Sequence, residues 1–309
     1  SATQDITIDA WRIEAIGEDY QGAMAGAYQL GYRLGMIVAG GGAFSLAHFH
    51  SWPVAYLFMA GFMLIGPVMV MIIAEPEHPP LSDKGSNREL SALVRLKRWF
   101  VGAVVDPFRE FFVREGAFAL VILAFIMVYR ISDITLGVMA NPFYIDMGYS
   151  ELEIGLVTKT VGPFVTIAGA LVGGVLVMRF GKMRMLMTGA VLVVLTNLLF
   201  AWLATQEAKL LWLILVVGAD NLAAGIATTT FVAYLSGLTN KAYTATQYAL
   251  FSSIMLLLAK FVAGFSGVVV DHSSYPVFFV YAAVLGIPSV LLILILIRRK
   301  QPTAREVVE

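Results

Sequence analysis

The sequence predicts an all-α membrane protein built from a bundle of spanning helices. The chain of 309 residues is 59% hydrophobic and only 14% charged, whereas a soluble domain is about 45–50% apolar and about 25% charged. Its mean hydropathy is +0.81. Apolar runs also recur along the whole chain, and several reach the roughly 20 residues that cross a bilayer as a helix.

Nine apolar segments are candidates for membrane spans. In chain order they are 1–16 (cut short at the start of the chain), 21–47, 53–74, 116–141, 152–178, 183–204, 209–237, 243–270 and 275–297. The polar separators are short, except for 75–115, which opens with EPEHPPLSDKGSN. We therefore divide the chain into a three-span block (1–74), a linker (75–115) and a six-span block with a short tail (116–309).

The second part of the linker, 89–114, predicts an amphipathic helix. Leucine, tryptophan and phenylalanine residues alternate with Arg95, Lys97, Arg98 and Arg109 at roughly helical periodicity. We expect Pro107 to break this helix. A helix lying in the membrane interface fits the pattern best, and a soluble helix packed on the ends of the spans is the alternative.

The basic residues of the loops predict the orientation in the membrane. Placing 17–20, 75–115, 179–184, 238–242 and 298–309 on one side gives that side fifteen lysines and arginines, and leaves only Lys209 on the other. Because basic loops stay in the cytoplasm, the linker and the C-terminus are predicted to be cytoplasmic.

A weak internal repeat at an offset of 223 positions relates the two blocks. Ala10, Trp11, Tyr20, Tyr28 and Gly41 fall opposite Ala233, Tyr234, Tyr243, Phe251 and Gly264. The six-span block has three spans ahead of its matching segment, so three further spans are expected ahead of Ser1. Two six-span halves related by a repeat are the major facilitator plan, with nine of twelve spans in this chain.

Charged residues inside the predicted spans need an explanation, because each costs about 2.5–3.5 kcal/mol at mid-bilayer on insertion scales. The deep acids are Asp5, Asp9, Asp133 and Asp220, and the deep bases are Arg33, Arg130, Lys159 and Lys260. Helical spacing predicts local pairs of Asp5 and Asp9 with Arg12, and of Arg130 with Asp133. These charges either pair structurally or line a polar cavity.

Lys159 and Lys260 have no acid within one helical turn in sequence, so they either pair across helices or meet an anion. Lysine and arginine in a cavity suit an anionic solute, since arginine clamps a carboxylate with two hydrogen bonds. A buried aspartate is suited to carry a proton. Tyr28, Tyr32 and Tyr129 are candidates for stacking on sugar rings, with simple packing as the alternative.

Other functional classes find little support. The chain has no cysteine, its net charge is zero and its four histidines fall at span ends or in loops. Thiol catalysis and bulk attraction to nucleic acid are therefore excluded. Neither HExxH nor GxGD occurs, so we expect no metal site and no intramembrane enzyme.

The segment 173–184, GGVLVMRFGKMR, is similar to the major facilitator loop signature of glycine, Asp-Arg and Gly-Lys. It supplies Gly174, Arg179, Gly181 and Lys182 between the second and third spans of the six-span block. Met178 stands where the family has an aspartate. The resemblance implies a cytoplasmic gating loop, but one without its charge relay.

Longer patches resemble the AmpG muropeptide permeases. They are SATQDITIDAWRIE, GAYQLGYRLGMIVAGG, VYRISD, GLVTKTVG and DNLAAGIATTTFVAYLSGLTNKAYTATQYALFSS, spread over most of the chain. They look like the fourth and fifth, the seventh, the eighth, and the tenth and eleventh helices of that family. On this resemblance the chain lacks the first three transmembrane helices.

The AmpG resemblance implies a symporter of the bacterial inner membrane with no bound cofactor. Such a protein imports anionic 1,6-anhydro-muropeptides from periplasm to cytosol with protons, for peptidoglycan recycling, and in many Gram-negative bacteria supplies the signal for β-lactamase induction. We expect it to act as a monomer in the lipid bilayer. Two alternatives stay open: a carrier of another organic anion, such as an acyl-coenzyme A-like solute, and a receptor that binds without transporting.

Overall fold

The computed structural model describes residues 2–76, 94 and 100–298, and every regular element in that part of the chain is a helix. The helices are α1 (Ala2–Glu14), α2 (Gln21–Phe49), α3 (Trp52–Ile72), α4 (Asp106–Glu115), α5 (Phe118–Asp146), α6 (Glu151–Phe180), α7 (Lys182–Leu203), α8 (Leu210–Leu238), α9 (Thr244–His272) and α10 (Tyr275–Arg298).

Eight of these helices are long and apolar enough to cross a membrane: α2, α3 and α5 to α10. Their bounds agree with eight of the nine predicted spans to within about five residues. The first predicted span corresponds to α1, of which 13 residues are described. The prediction of an all-α, multi-pass membrane protein is therefore confirmed.

The connections between helices define two ends of the bundle. Loops 17–20 and 239–243 and the turn at Gly181 lie at one end, which we call the basic end. Loops 50–51, 147–150, 204–209 and 273–274 lie at the other, which we call the far end.

The linker helix continues through Pro107, so the predicted break there is wrong. A π-helical turn, Val101–Val105, runs directly into α4, and Pro107 sits in the first turn of α4. Proline has no N–H to donate to the preceding turn, and the change from π-helical to α-helical geometry falls directly before it. Positions 77–93 and 95–99 of the linker lie outside the described residues, as does the tail 299–309.

Helix α4 is fastened to the basic end of the bundle. Phe111 is buried against Phe251 of α9. The Glu110 carboxylate accepts hydrogen bonds from Asn240 Nδ2 at 2.8 Å and from Gln247 Nε2 at 2.6 Å. Val113 stays exposed on another face. The helix is thus amphipathic, as expected, and its location in the membrane interface stays a prediction.

The predicted repeat is visible in the helix boundaries. Helices α2 and α9 are both 29 residues long and begin 223 positions apart, at Gln21 and Thr244. Each is followed by a serine in the same extended conformation, with φ −167° and ψ 163° at Ser51 and φ −167° and ψ 164° at Ser274. Because α3 and α10 also begin at the same offset, the repeat is confirmed as a structural one.

Small residues allow α6 to pack closely on its neighbours. Gly169 and Gly173 lie against the backbone of α8, and a Cβ added at Gly169 would overlap the Leu222 carbonyl oxygen. On another face, a Cβ at Gly26 of α2 would lie only 3.2 Å from the Ala170 carbonyl oxygen of α6. Glycines at such positions let two membrane helices approach backbone to backbone.

The two blocks meet in the half of the bundle nearer the basic end. There α1 packs on α9, and α2 packs on α6 and α8. Ala25 of α2 is fully buried in a cluster with Val177, Ile226 and Ala233. In the described structure, the first block therefore closes against the second at this end.

The close packing of α6 and α8 predicts that Gly169→Leu destabilises the fold by about 1–3 kcal/mol, because the added side chain forces the two backbones apart. Thermal unfolding in detergent measures this. Gly137→Leu is the matched control, since Gly137 is an exposed helical glycine with nothing within 4 Å of an added Cβ. Equal unfolding temperatures for the two variants would contradict the packing account.

Candidate functional site

Two of the predicted local charge pairs are present. Arg12 lies 3.3 Å from Asp9, and Arg130 lies 2.6 Å from Asp133. Asp5 does not join the first pair; its side chain is exposed and forms no ion pair within the described residues. The prediction that Arg12 pairs with both aspartates is therefore correct only for Asp9.

Arg12 is the most deeply buried charged side chain of the described structure, with 2% of its surface exposed. It donates a hydrogen bond to Ser236 Oγ of α8 at 3.0 Å. Its guanidinium carbon lies 5.2 Å from the ring centre of Tyr28 and 5.4 Å from that of Tyr248, within cation–π range. We call Asp9, Arg12, Tyr28, Ser236 and Tyr248 the Arg12 cluster.

The Arg12 cluster joins the two blocks at the basic end. Asp9, Arg12 and Tyr28 belong to the first block, while Ser236 and Tyr248 belong to α8 and α9 of the second. A buried guanidinium held by hydrogen bonds and two aromatic rings is costly to separate, because a lone buried charge would remain. The cluster therefore closes this end of the bundle.

Two of the three tyrosines predicted to stack on sugars are occupied otherwise. Tyr129 is 6% exposed and stacks on Phe231, with ring centres 4.4 Å apart, so it has no free face and that prediction is wrong. The Tyr129 ring is buried in the apolar core of the six-span block. Tyr28 lies against Arg12. Tyr32 is 57% exposed and keeps a free ring face.

Three cations inside the spans have no ion-pair partner among the described residues: Arg33, Lys159 and Lys260. Lys159 and Lys260 are exposed, and Arg33 is partly exposed with its Nε buried and unbonded. They come from α2, α6 and α9. Lipid offers no partner for such groups, so they must face water, further protein or a solute.

The three cations lie deeper in the bundle than the Arg12 cluster. Counting 1.5 Å per residue from the helix termini at the basic end, Arg33, Lys260 and Lys159 lie at about 18, 24 and 31 Å. Arg12 lies within about 5 Å of the end of its helix on the same scale. Lys159 also sits in a π-helical turn, Leu156–Val161, a feature that is frequent at functional sites.

A second polar cluster fills the interior of the six-span block. Asp220 Oδ1 accepts a hydrogen bond from Thr196 Oγ1 at 3.0 Å, and Asn197 Nδ2 donates to Ser132 Oγ at 2.6 Å. Arg130 donates to Thr228 Oγ1 as well as pairing with Asp133. We call these side chains the Asp220 cluster: Arg130, Ser132, Asp133, Thr196, Asn197, Asp220 and Thr228.

The loop similar to the facilitator signature has the geometry that its glycines require. Gly174 lies against Gly22, and Gly181 has φ +86°, a conformation that favours glycine. The Lys182 ammonium lies beside Gly237 in the last turn of α8, where a cation is favoured by the helix dipole. Arg179 stacks on Phe180, and Met178 is exposed. The gating role of this loop stays a prediction.

Sequence reasoning missed the partners that come from other helices: Ser236, Tyr248, Thr196 and Thr228. Thr196 and Asn197 form a polar pair in the middle of an apolar span, which was a usable signal. Nothing in the local sequence marked Tyr248. No group of three or more histidine, aspartate or glutamate side chains suited to a metal occurs in the described part of the chain.

Repeat-related blocks of membrane-spanning helices around a polar interior define a multi-pass membrane protein of the transporter class. The sequence model of the family described as the Major Facilitator Superfamily matches residues 2–263 and also residues 129–309. The chain therefore belongs to the Major Facilitator Superfamily.

Similar proteins carry AmpG and permease names. The chain is 31% identical over 298 residues to the "Putative transporter AmpG 4" of Rickettsia conorii, covering 96% of this chain and 69% of that protein. It is 31% identical over 297 residues to the "Anhydromuropeptide permease" of Escherichia coli K12, covering 96% of this chain and 57% of the relative. An uncharacterized Haemophilus influenzae protein is also 31% identical, and the chain covers 68% of it.

The Arg12 cluster predicts that Arg12→Gln loosens the basic end. A single cysteine placed at the fully buried Ala233 reports this, because the chain has no cysteine of its own. Losing the cation–π contacts should speed maleimide labelling roughly five- to thirtyfold in detergent. Arg184→Gln, an exposed arginine at the same end, is the control. Equal labelling in both variants would show that Arg12 does not hold this end closed.

Proposed function

We propose that this protein transports anionic anhydro-muropeptides, the sugar-peptide fragments of the cell wall. The observation that carries the proposal is the set of three unpaired cations, Arg33, Lys159 and Lys260, on three different helices at span depth. The names of the AmpG relatives support the choice of solute. Cations without a carboxylate partner suit a solute that brings its own carboxylates.

Each unpaired cation fits a carboxylate of the peptide part in a different way. Arg33 presents a planar guanidinium that can bind a carboxylate with two hydrogen bonds, while lysine acts as a point charge. Lys159 and Lys260 would therefore attract charge with less demand on geometry. Tyr32, with its exposed ring, would stack on a sugar.

We further propose import into the cytosol, driven by protons, by a monomer in the bacterial inner membrane. The basic end faces the cytoplasm in this proposal, because lysine and arginine concentrate in its loops. The closed Arg12 cluster then lies on the cytoplasmic side, and the unpaired cations lie on the side from which the solute arrives. Import of these fragments would also supply the signal for β-lactamase induction.

Uptake of labelled anhydro-muropeptide by the full-length protein in proteoliposomes tests the proposal. Lys159→Ala and Arg33→Ala each remove a charge-assisted hydrogen bond worth about 1.5–3 kcal/mol. We expect KM to rise about 10- to 100-fold, since each 1.4 kcal/mol is tenfold. Lys209→Ala, at the exposed far-end loop, is the control and should leave KM unchanged.

Three outcomes would overturn the proposal. Uptake indifferent to both substitutions would show that these cations do not meet the solute. An acyl-coenzyme A-like solute that displaces the muropeptide at lower concentration would identify a different organic anion as the substrate. Binding without accumulation in the vesicles would identify a receptor.

A further inference from the structure

We propose that Asp220 holds the proton that drives transport; this inference rests on the proposed function. Asp220 lies about a third of the way along α8 from the far end, about 27 Å from the basic end by helix rise. Among the described residues, the Thr196 hydroxyl is the side-chain hydrogen-bond partner of Asp220. Within the described residues, no cation forms an ion pair with it.

The charges of the Asp220 cluster do not balance unless one proton is bound. Asp133 and Asp220 would together carry two negative charges, and Arg130 supplies one positive charge. An isolated carboxylate away from water is costly. With one proton on Asp220 and the Arg130–Asp133 pair intact, the cluster becomes neutral.

The elements packed around Asp220 bring no second cation into contact with it. Helix α5 contributes Asp133, Arg130 and the buried phenol of Tyr144. Helix α7 contributes the uncharged Thr196 and Asn197. Helix α6 contributes Thr166, which donates a hydrogen bond to Asn221 of α8. It also carries Lys159, in the π turn that contacts α8. Helix α2 carries Arg33 and Tyr28, and neither forms a hydrogen bond or ion pair with Asp220.

The Thr196 hydroxyl can serve both protonation states of Asp220. It lies 3.0 Å from the Asp220 carboxylate and 3.1 Å from the Val193 carbonyl oxygen. Since a hydroxyl has one proton to donate, it donates to the ionised carboxylate. When Asp220 is protonated, the hydroxyl turns to Val193 and its oxygen accepts the new carboxyl hydrogen.

A small cavity beside the cluster has room for about one water molecule. Its volume is about 10 Å³, and Tyr129, Arg130, Ser132, Asp133 and Ser289 are among the residues that line it. Arg130 Nε and Asn197 Oδ1 are buried nearby without a hydrogen-bond partner. A water there would hydrogen-bond to polar groups of the lining, such as Arg130 Nε and the Ser132 hydroxyl.

The cluster is attached to a break in a membrane helix. Helix α5 is interrupted at Arg130, which has φ −96° and ψ −1° between the helical segments Phe118–Tyr129 and Ile131–Asp146. The Arg130 guanidinium holds Asp133 on its own helix and Thr228 on α8, the helix that carries Asp220. Loss of the proton from Asp220 adds a second carboxylate charge that repels Asp133, across the contact between α5 and α8.

The proposed step needs no electron transfer. A proton from water on the side of entry forms an O–H bond on Asp220, and the same bond breaks when the proton leaves to water on the other side. The carboxyl group carries no net charge while the proton is bound, and it returns to a carboxylate after release.

Transport by Asp220→Asn separates this role from a structural one. With a pH difference of one unit and one coupled proton, the wild-type protein should accumulate anhydro-muropeptide about tenfold. Asp220→Asn, a permanently neutral side chain, should hold the ratio at about one while exchange of external for internal solute remains measurable. Asp271→Asn, at the exposed far end of α9, is the control and should accumulate like wild type.

Accumulation by Asp220→Asn equal to that of wild type would overturn the assignment. Absence of muropeptide exchange by wild type would instead overturn the proposed function itself. Infrared titration of the wild-type protein needs neither a variant nor a solute: a protonated carboxyl band at neutral pH is expected. Absence of that band, or its persistence in a folded Asp220→Asn protein, would also contradict the proposal.

Discussion

The lack of any lipid partner for a charge is the constraint on which the interior of this protein depends. It forces each ionisable side chain of a span to pair, to share a proton or to face a polar space. The Arg12 cluster is paired and buried, Asp220 has the Thr196 hydroxyl as its hydrogen-bond partner, and Lys159 and Lys260 have no ion-pair partner in the described part of the chain. We assign a structural role to the Arg12 cluster, proton binding to Asp220 and solute binding to the unpaired cations.

Much of the fold followed from the sequence, because span length, polar separators and the 223-residue repeat are local or periodic features. Eight spans and the short-range pairs at Asp9 and Asp133 were predicted correctly. Contacts between helices were not, since spacing along one helix does not say what lies opposite. Tyr129 was therefore taken for a sugar platform although it stacks on Phe231, and the Tyr248 contact of Arg12 was missed.

The close contacts and the charge pairs act on the same two-block architecture. Glycine contacts hold α2 and α6 together at the basic end, where Arg12 also bridges the blocks. The unpaired cations lie farther along the helices, away from this closed end. Such an arrangement suits a carrier that exposes its site to one side at a time, because opening the basic end requires Arg12 to leave Ser236 and Tyr248. Breaking such a contact is costly, and binding of solute and proton would offset that cost.

A structure of the full-length protein with bound anhydro-muropeptide tests the division between paired and unpaired charges most directly. The account predicts solute carboxylates within hydrogen-bond distance of Arg33, Lys159 or Lys260, with the Arg130–Asp133 pair intact. A solute carboxylate held by Arg130 in place of Asp133, with the three unpaired cations turned away, would contradict it.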